Sequence, residues 1–359
     1  MSRGFYFIIA ITMTARPKIV DIAREAGVSP ATVDRVLNGR AGVSNSTVSR
    51  VSDAVKKLDY VRDVSAANLA KKRRYRMVFA LPEDGGQFQE VLCSEIASVS
   101  RHAQIERTEI SLLPVPTDDP HALARIIGDM DPASVDGLAL MAPETPQLRD
   151  AIRLLKNKGV PVVAMVSNLP NTDCDHFVGI NNVAAGRTAG TLMGRFAGRR
   201  KGRILVLARS MQSHDSIERR LGFDAVMQEQ FPDLYVLPSM ESHGNAEKME
   251  KSIHHAFAQH DDILGIYSVS SGNRILSNLL QQRQTLEHLI VVAHELTPHN
   301  REALKSGLFD AVITQNTGHV VRSAIRVLRA KSDQLEIDKA QESIRIEIVL
   351  KENLYDPAV

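Results

Sequence analysis

Basic side chains crowd the front of this chain. Between Ala15 and Arg76 there are 14 Lys and Arg against 6 Asp and Glu, a balance of +8, although all 359 residues together carry only +2. Apart from Arg3, the remainder holds 29 basic and 36 acidic residues and is net −7. A basic front on an acidic body suits a polyanionic partner for the front alone. Lysine and arginine neutralise phosphates, and a guanidinium can also read guanine through two hydrogen bonds. A merely solvated basic face would give the same count. The elements that carry the charges must therefore decide.

Those elements read as three short helices. Ile19, Ile22, Ala23 and Ala26 recur at helical spacing, and Gly27 ends the run with a residue that tolerates positive φ. Ser29 is placed as an N-cap, with Pro30 at the first helical position, where its missing N–H costs nothing. Val33, Val36 and Leu37 are the apolar stripe of the second helix, and Asn38-Gly39 closes it. A third helix from Ser44 is expected to bury Val48, Val51, Val55 and Leu58. A small Ala23, a turn at Gly27 and a wedge at Val33 have the spacing of a helix-turn-helix. A three-helix bundle without a DNA role is the alternative, and the +8 charge argues against it.

The run Ile19-Val-Asp-Ile-Ala-Arg-Glu-Ala-Gly-Val-Ser-Pro-Ala-Thr-Val-Asp-Arg-Val-Leu-Asn-Gly39 resembles the headpiece of the lactose-repressor (LacI/GalR) family. The likeness continues through Val43-Ser44, the third helix and Leu58-Asp-Tyr60. It implies a DNA-binding domain over residues 15–62, with the second helix in the major groove. Pro30, Ala31 and Arg35 would then face base edges: the first two by apolar contact, Arg35 by pairing with guanine. Thr32, Ser44 and Asn45 would hold phosphates and fix register. Asp34 departs from the serine of many members, and an acid there implies an altered operator preference, for example towards cytosine N4. Residues 63–74 would be a hinge helix that folds on DNA, with Leu69 wedged between base pairs in the minor groove. Its sequence, Asp63-Val-Ser-Ala-Ala-Asn68, departs from the usual hinge. Residues 1–14 read as an N-terminal extension without a packing pattern, and Met13 is the expected start of the working protein.

From Tyr75 onward, short apolar runs alternate with amphipathic stretches. Met77–Leu81, Gly137–Met141, Pro161–Val166, Arg203–Leu207, Leu264–Tyr267 and Leu289–Ala293 read as buried parallel strands. Helical patterns lie between them, at Leu148–Lys158, Ala184–Phe196, Ser216–Gln230, Ala246–Gln259 and Asn273–Gln282. Such alternation predicts a doubly wound α/β body. Ligands in these sheets sit beyond the carboxyl ends of strands. That rule points to Gln87 and Phe88, Ser167 and Asn168, Arg219, Ser270, Glu295 and Gln315.

Val135-Asp-Gly137, Gly159-Val-Pro-Val-Val163, Val178-Gly-Ile-Asn-Asn-Val-Ala-Ala-Gly-Arg187 and Arg219-Arg-Leu-Gly-Phe223 resemble, in this order, the periplasmic-binding-protein-like effector domain of the same family. The whole is thus expected to be an all-α helix-turn-helix headpiece plus an α/β two-lobed periplasmic-binding-protein-like (type I) domain over residues 75–359. Lobe one would hold about 75–180 and 315–340, and lobe two about 181–314 and 341–359. By the resemblance Arg219, Ser270, Glu295 and Gln315 fall where relatives hold a sugar, while Phe88 and Asn168 stay candidates by the strand-end rule alone. Two departures matter: Ser270 is shorter than the usual asparagine, and Val166-Ser167 replaces an Asp-Arg pair of pentose binders. The chain has no tryptophan, which leaves ring stacking to Phe88 or Tyr267. An Arg and a Glu near strand ends also form plain ion pairs in many proteins.

Other chemistries find little support. There is no nucleophile elbow, zinc-protease or kinase signature, and no glycine-rich phosphate loop follows an early strand. His254-His255 lacks a third ligand, and His294 reads as a packed histidine, so neither metal nor cofactor is expected. Cys93 and Cys174 have no framework spacing, which fits a reducing compartment. No apolar run approaches the roughly 18 residues of a membrane span. The expectation is a cytoplasmic regulator, not an enzyme: a repressor that binds a pseudo-palindromic double-stranded operator as a homodimer, or alternatively a tetramer. Its effector would be a sugar or sugar-derived acid. The alternative is the same fold with a vestigial cleft and a protein partner.

Overall fold

In the computed structural model, which describes residues 17–37, 40–58, 60, 73–83, 86–104, 106–117, 119–269, 272–282 and 289–354, the chain falls into two units that divide between Arg73 and Arg74. The front unit holds α1 (Ile19–Ala26), α2 (Pro30–Leu37) and α3 (Asn45–Lys57). Gly27 takes φ 63°, the left-handed conformation that lets the chain leave α1 and enter α2 within three residues. Ser29 Oγ accepts the Thr32 N–H at 3.1 Å, and Ser44 Oγ accepts the Thr47 N–H, capping α2 and α3. Ile22, Ala23, Ala26, Val33, Val51 and Ala54 form the core, with Val55 and Leu58 packed against it. Val48 does not join them. It lies in the first turn of α3, ahead of the Val51-Ala54-Val55-Leu58 stripe, and is 37% exposed. Residues 63–72 of the hinge segment, including Leu69, lie outside the described residues.

The second unit is built on two sheets. The first takes β1 (Tyr75–Pro82), β2 (Thr108–Val115), β3 (Gly137–Leu140), β4 (Val162–Met165) and β5 (His176–Val178), in spatial order β2-β1-β3-β4-β5 and all parallel. Helices α4 (Gln87–Ala103), α5 (Ala122–Asp129) and α6 (Pro146–Asn157) alternate with these strands. The chain then crosses through α7 (Asn182–Ala197) into β6 (Gly202–Ala208), α8 (His214–Gln230), β7 (Leu234–Glu241), α9 (Ala246–Gln259) and β8 (Ile263–Ser268). It continues through α10 (Asn273–Gln282), β9 (Ile290–His294), α11 (Pro298–Lys305) and β10 (Ala311–Gln315). After β10 it returns as α12 (Thr317–Ser332), which packs on α4, β3 and β4 of the first sheet. It crosses a third time to β11 (Ile346–Val349), the antiparallel edge of a second sheet ordered β11-β10-β9-β8-β6-β7.

Val, Ile, Leu and Ala fill the central strands because helices cover both faces, as parallel sheets require. The six apolar runs of the sequence coincide with β1, β3, β4, β6, β8 and β9. Five more strands lie outside them. Among these β2, β7 and β11 are sheet edges with alternating or sparse burial, so they carry no continuous apolar run. Among the described residues no helix is long and apolar enough to cross a membrane.

Candidate functional site

The carboxyl ends of β4, β8, β9 and β10 converge on one buried side chain, Arg219. It sits in the second turn of α8, which begins at His214 rather than at the Ser216 of the sequence reading. Two glycines place it. A Cβ on Gly186 of α7 would stand 1.9 Å from the Arg219 carbonyl oxygen, and one on Gly222 of α8 would stand 2.1 Å from the Val183 carbonyl oxygen. Only hydrogen at both positions lets α7 and α8 cross backbone to backbone. The two sequence landmarks, Val178–Arg187 and Arg219–Phe223, are thus the two halves of one helix crossing.

Every branch of the Arg219 guanidinium is engaged. Nε donates to Asn182 Oδ1 at 2.9 Å, Nη1 to the Val269 carbonyl at 3.0 Å and Nη2 to Glu295 Oε1 at 2.8 Å. Gln315 Nε2 donates to the same Glu295 oxygen at 3.1 Å. Asn182 in turn donates to the Val166 carbonyl at 3.3 Å, tying the start of α7 to the end of β4. Ser167 Oγ accepts the Asp215 N–H at 3.3 Å, which joins the end of β4 in the first sheet to the start of α8 beside the second. Arg219, Glu295, Gln315, Asn182, Ser167 and Asp215 are all buried.

Among the described residues, Glu295 Oε2 and Gln315 Oε1 of this cluster are buried without a hydrogen-bond partner. A buried acceptor left unpaired costs about 1–3 kcal/mol, so such a pair is a place for a donor to arrive. Burial raises the Glu295 carboxyl above the ordinary range, against the opposing charge of Arg219 and the bonds from Arg219 and Gln315. Burial pulls on the Arg219 guanidinium in the lowering direction, but the charges of Glu295 and Asp215 outweigh it and leave it raised.

The backbone is unusual at the same strand ends. Val166 takes φ 64° and Glu295 φ 66°, a region L-residues avoid and a β-branched one most of all. The Ser167 N–H closes a three-residue turn around Val166 by donating to the Met165 carbonyl at 2.6 Å. Asn300 Nδ2 clamps the other bend by donating to the Glu295 carbonyl at 2.7 Å. Strain of this kind persists only where the surroundings over-determine it, and it clusters at functional sites.

Of the ligand candidates read from sequence, Arg219, Glu295 and Gln315 are brought together. Phe88 packs partly buried against the large core of the unit, and Asn168 uses its Oδ1 on the neighbouring Leu169 N–H. Ser270 lies outside the described residues. Tyr267 cannot serve as a stacking platform for a ligand. It is 0% exposed, stacked on Phe223 with ring centroids 4.3 Å apart, and its hydroxyl bonds His294 Nε2 at 2.8 Å. That bond and its burial fit the reading of His294 as a packed histidine, and burial holds its imidazole well below the usual value and neutral. Asn182 and Asp215 escaped the sequence reading. The signal for Asp215 was available: an acid four residues before Arg219 shares its helix face.

In the front unit, Pro30, Ala31 and Arg35 form an exposed run on α2, with Thr32 and Asp34 half-buried and Ser44 and Asn45 exposed. Asp34 faces Arg40 at 3.6 Å. Thr32 Oγ1 bonds Ser29 Oγ at 2.9 Å, and Ser44 Oγ is shared among Ser46, Thr47 and the cap.

Residues 18–63 match bacterial regulatory proteins of the lacI family, and residues 78–335 match the periplasmic binding protein domain. Catabolite control protein A of Staphylococcus epidermidis is 28% identical over 163 residues, 45% of this chain and 47% of that protein. The match thus spans about half the length of that relative. A solute binding protein of an ABC transporter from Burkholderia graminis, solved in complex with D-arabinose, superposes with a TM-score of 0.70 at 20% identity, over 78% of this chain and 96% of that one. A protein from Bacteroides fragilis described as a LacI transcriptional regulator gives 0.68 at 20% identity, over 78% and 98%. At this identity the superpositions speak for the fold. A helix-turn-helix followed by two α/β lobes crossed three times, with both segments matched in order, makes this chain a member of the lacI family of bacterial regulatory proteins, carrying a periplasmic-binding-protein-like domain.

Proposed function

We propose that this regulator is a cytoplasmic repressor that binds a pseudo-palindromic operator as a homodimer and is controlled by a small hydroxylated effector in the Arg219–Glu295–Gln315 cluster. The observation that carries the reading is the pair of buried acceptors, Glu295 Oε2 and Gln315 Oε1, left without donors at the carboxyl ends of β9 and β10. Hydroxyl groups of a sugar or polyol supply such donors, and a site built for them discriminates strongly against ligands that lack them. The interlobe bond between Ser167 and Asp215 lies close by, so an occupant here can bias the relation of the two sheets. In the front unit Arg35 reads guanine, Pro30 and Ala31 make apolar base contacts and Asp34 alters preference. Thr32, Ser44 and Asn45 hold phosphate, and Leu69 is the minor-groove wedge.

The test is a thermal-shift screen of sugars and polyols followed by calorimetry. Binding raises the melting temperature in proportion to ln(1+[L]/Kd). A hit whose affinity falls at least tenfold in Gln315→Leu supports the site. Stabilisation by no compound in the screen, together with capture of a defined protein partner by the body, would favour a vestigial cleft instead.

A further inference from the structure

Resting on the proposed cleft, we infer that its ligand is a hydroxylated amine, such as an amino sugar or amino polyol, and that sugar acids are excluded. Two buried carboxylates, Asp215 at 7% exposure and Glu295 at 5%, stand against one buried guanidinium, Arg219 at 1%. Their charges act on one another: Asp215 and Glu295 both raise Arg219, and Asp215 raises Glu295. Arg219 is compensated by its ion pair with Glu295. Asp215 is left over, and no side-chain hydrogen bond reaches its carboxylate among the described residues. The cluster thus holds two buried acids against one buried base.

The hydrogen-bond inventory points the same way. The guanidinium fork, which would be the natural clamp for a ligand carboxylate, has each of its three nitrogens committed to a protein acceptor. The buried acceptors left without a partner are Glu295 Oε2 and Gln315 Oε1, while the fork keeps one further N–H on each of Nη1 and Nη2. The Gln315 amide cannot turn round to offer its N–H₂ outward without facing its own oxygen to Glu295 Oε1. Neighbouring cations are turned to other work. Arg220 forks onto Asp224 and reaches Ser239 Oγ, His214 faces Glu218 at 3.2 Å, and His294 is held neutral against Tyr267. An ammonium brings three donors and one positive charge to a place with open acceptors and more acids than bases, whereas a carboxylate brings neither.

Two matched triads test this on the full chain by calorimetry at pH 7: D-glucose, D-glucosamine and D-glucuronate, then the corresponding galactose series. The expected result is that the amine of at least one triad binds ten or more times tighter than its neutral parent, while the acid shows no heat of binding. The preference of amine over neutral sugar should shrink in Asp215→Asn and grow as ionic strength falls. A neutral sugar that binds as well as its amine would overturn the inference and leave the hydroxylated-ligand reading standing, as would a uronate that binds as well as either. Binding by none of the six would count against both.

Discussion

Arg219 and Glu295 are separated by 76 residues and joined by a 2.8 Å bond in which both partners are almost wholly buried. By residue type and position near strand ends, the two could be ligand anchors or a plain ion pair. The structure makes them first of all anchors for each other, with the second Glu295 oxygen left over for an occupant. Two consequences follow, one for stability and one for binding.

Removing one partner of a buried ion pair strands the other, at a cost of about 3–5 kcal/mol. Arg219→Ala should therefore lower the stability of the effector unit by that order, read by urea unfolding, beyond any loss of ligand affinity. Glu295→Gln keeps an acceptor for Arg219 and should be milder. Equal unfolding midpoints for the parent and Arg219→Ala would show that the pair does not hold the strand ends together.

Gly186→Ala forces a methyl group against the Arg219 carbonyl oxygen, where backbone and not a flexible side chain stands in the way. Overpacking of this kind costs about 1–3 kcal/mol and sometimes more, and here it also displaces Arg219. A melting temperature lowered by several degrees, with ligand affinity lost in parallel, is the expected result. A fully stable variant with native affinity would mean that α7 and α8 can separate freely.

His294 gives a pH dependence of definite sign. Its folded value lies well below the ordinary 6.5, because burial disfavours the imidazolium. The unfolded chain therefore binds the proton first. Stability from this group is fully present above pH 6.5 and is lost as pH falls from there, with a slope of up to about 1.4 kcal/mol per pH unit. Denaturation midpoints from pH 7.5 to 5 should show that slope in the parent and a reduced one in His294→Gln. The same slope in both would assign it elsewhere.

The legibility of this protein in its sequence follows from where side chains meet water. The headpiece was readable because caps and turns are local: Gly27, Ser29 and Ser44 do in the structure what their types imply. Val48 was misjudged because helical spacing extends a stripe past the point where partners cover it. Most central strands were readable as apolar runs, but the buried β10, where Thr314 and Gln315 shorten the run, was missed, as were β2, β5, β7 and β11 at the edges. In the cluster, Arg219, Glu295 and Gln315 could be found from strand ends and family likeness. Asn182 could not, because its role depends on α7 crossing α8 at two glycines far apart in the chain.

On DNA, Arg35→Ala should cost about 1–3 kcal/mol and relax preference at one guanine of each half-site. Asp34→Ser should shift the preferred base near it without abolishing binding, because the acid that faces Arg40 is removed. Selection of binding sites from a random pool, with parent and variants, reads both. An unchanged consensus in both variants would mean that α2 does not read bases through these side chains.

The central claim is that occupancy of the cleft controls the grip on DNA. It is tested most directly by operator affinity, measured by fluorescence anisotropy with the selected site, in the presence and absence of the ligand that the calorimetry returns. The account predicts at least a tenfold change in operator Kd for the parent. In Gln315→Leu the change should vanish at the same ligand concentration, while unliganded operator binding survives. An operator Kd in the parent that stays the same at saturating ligand would contradict it.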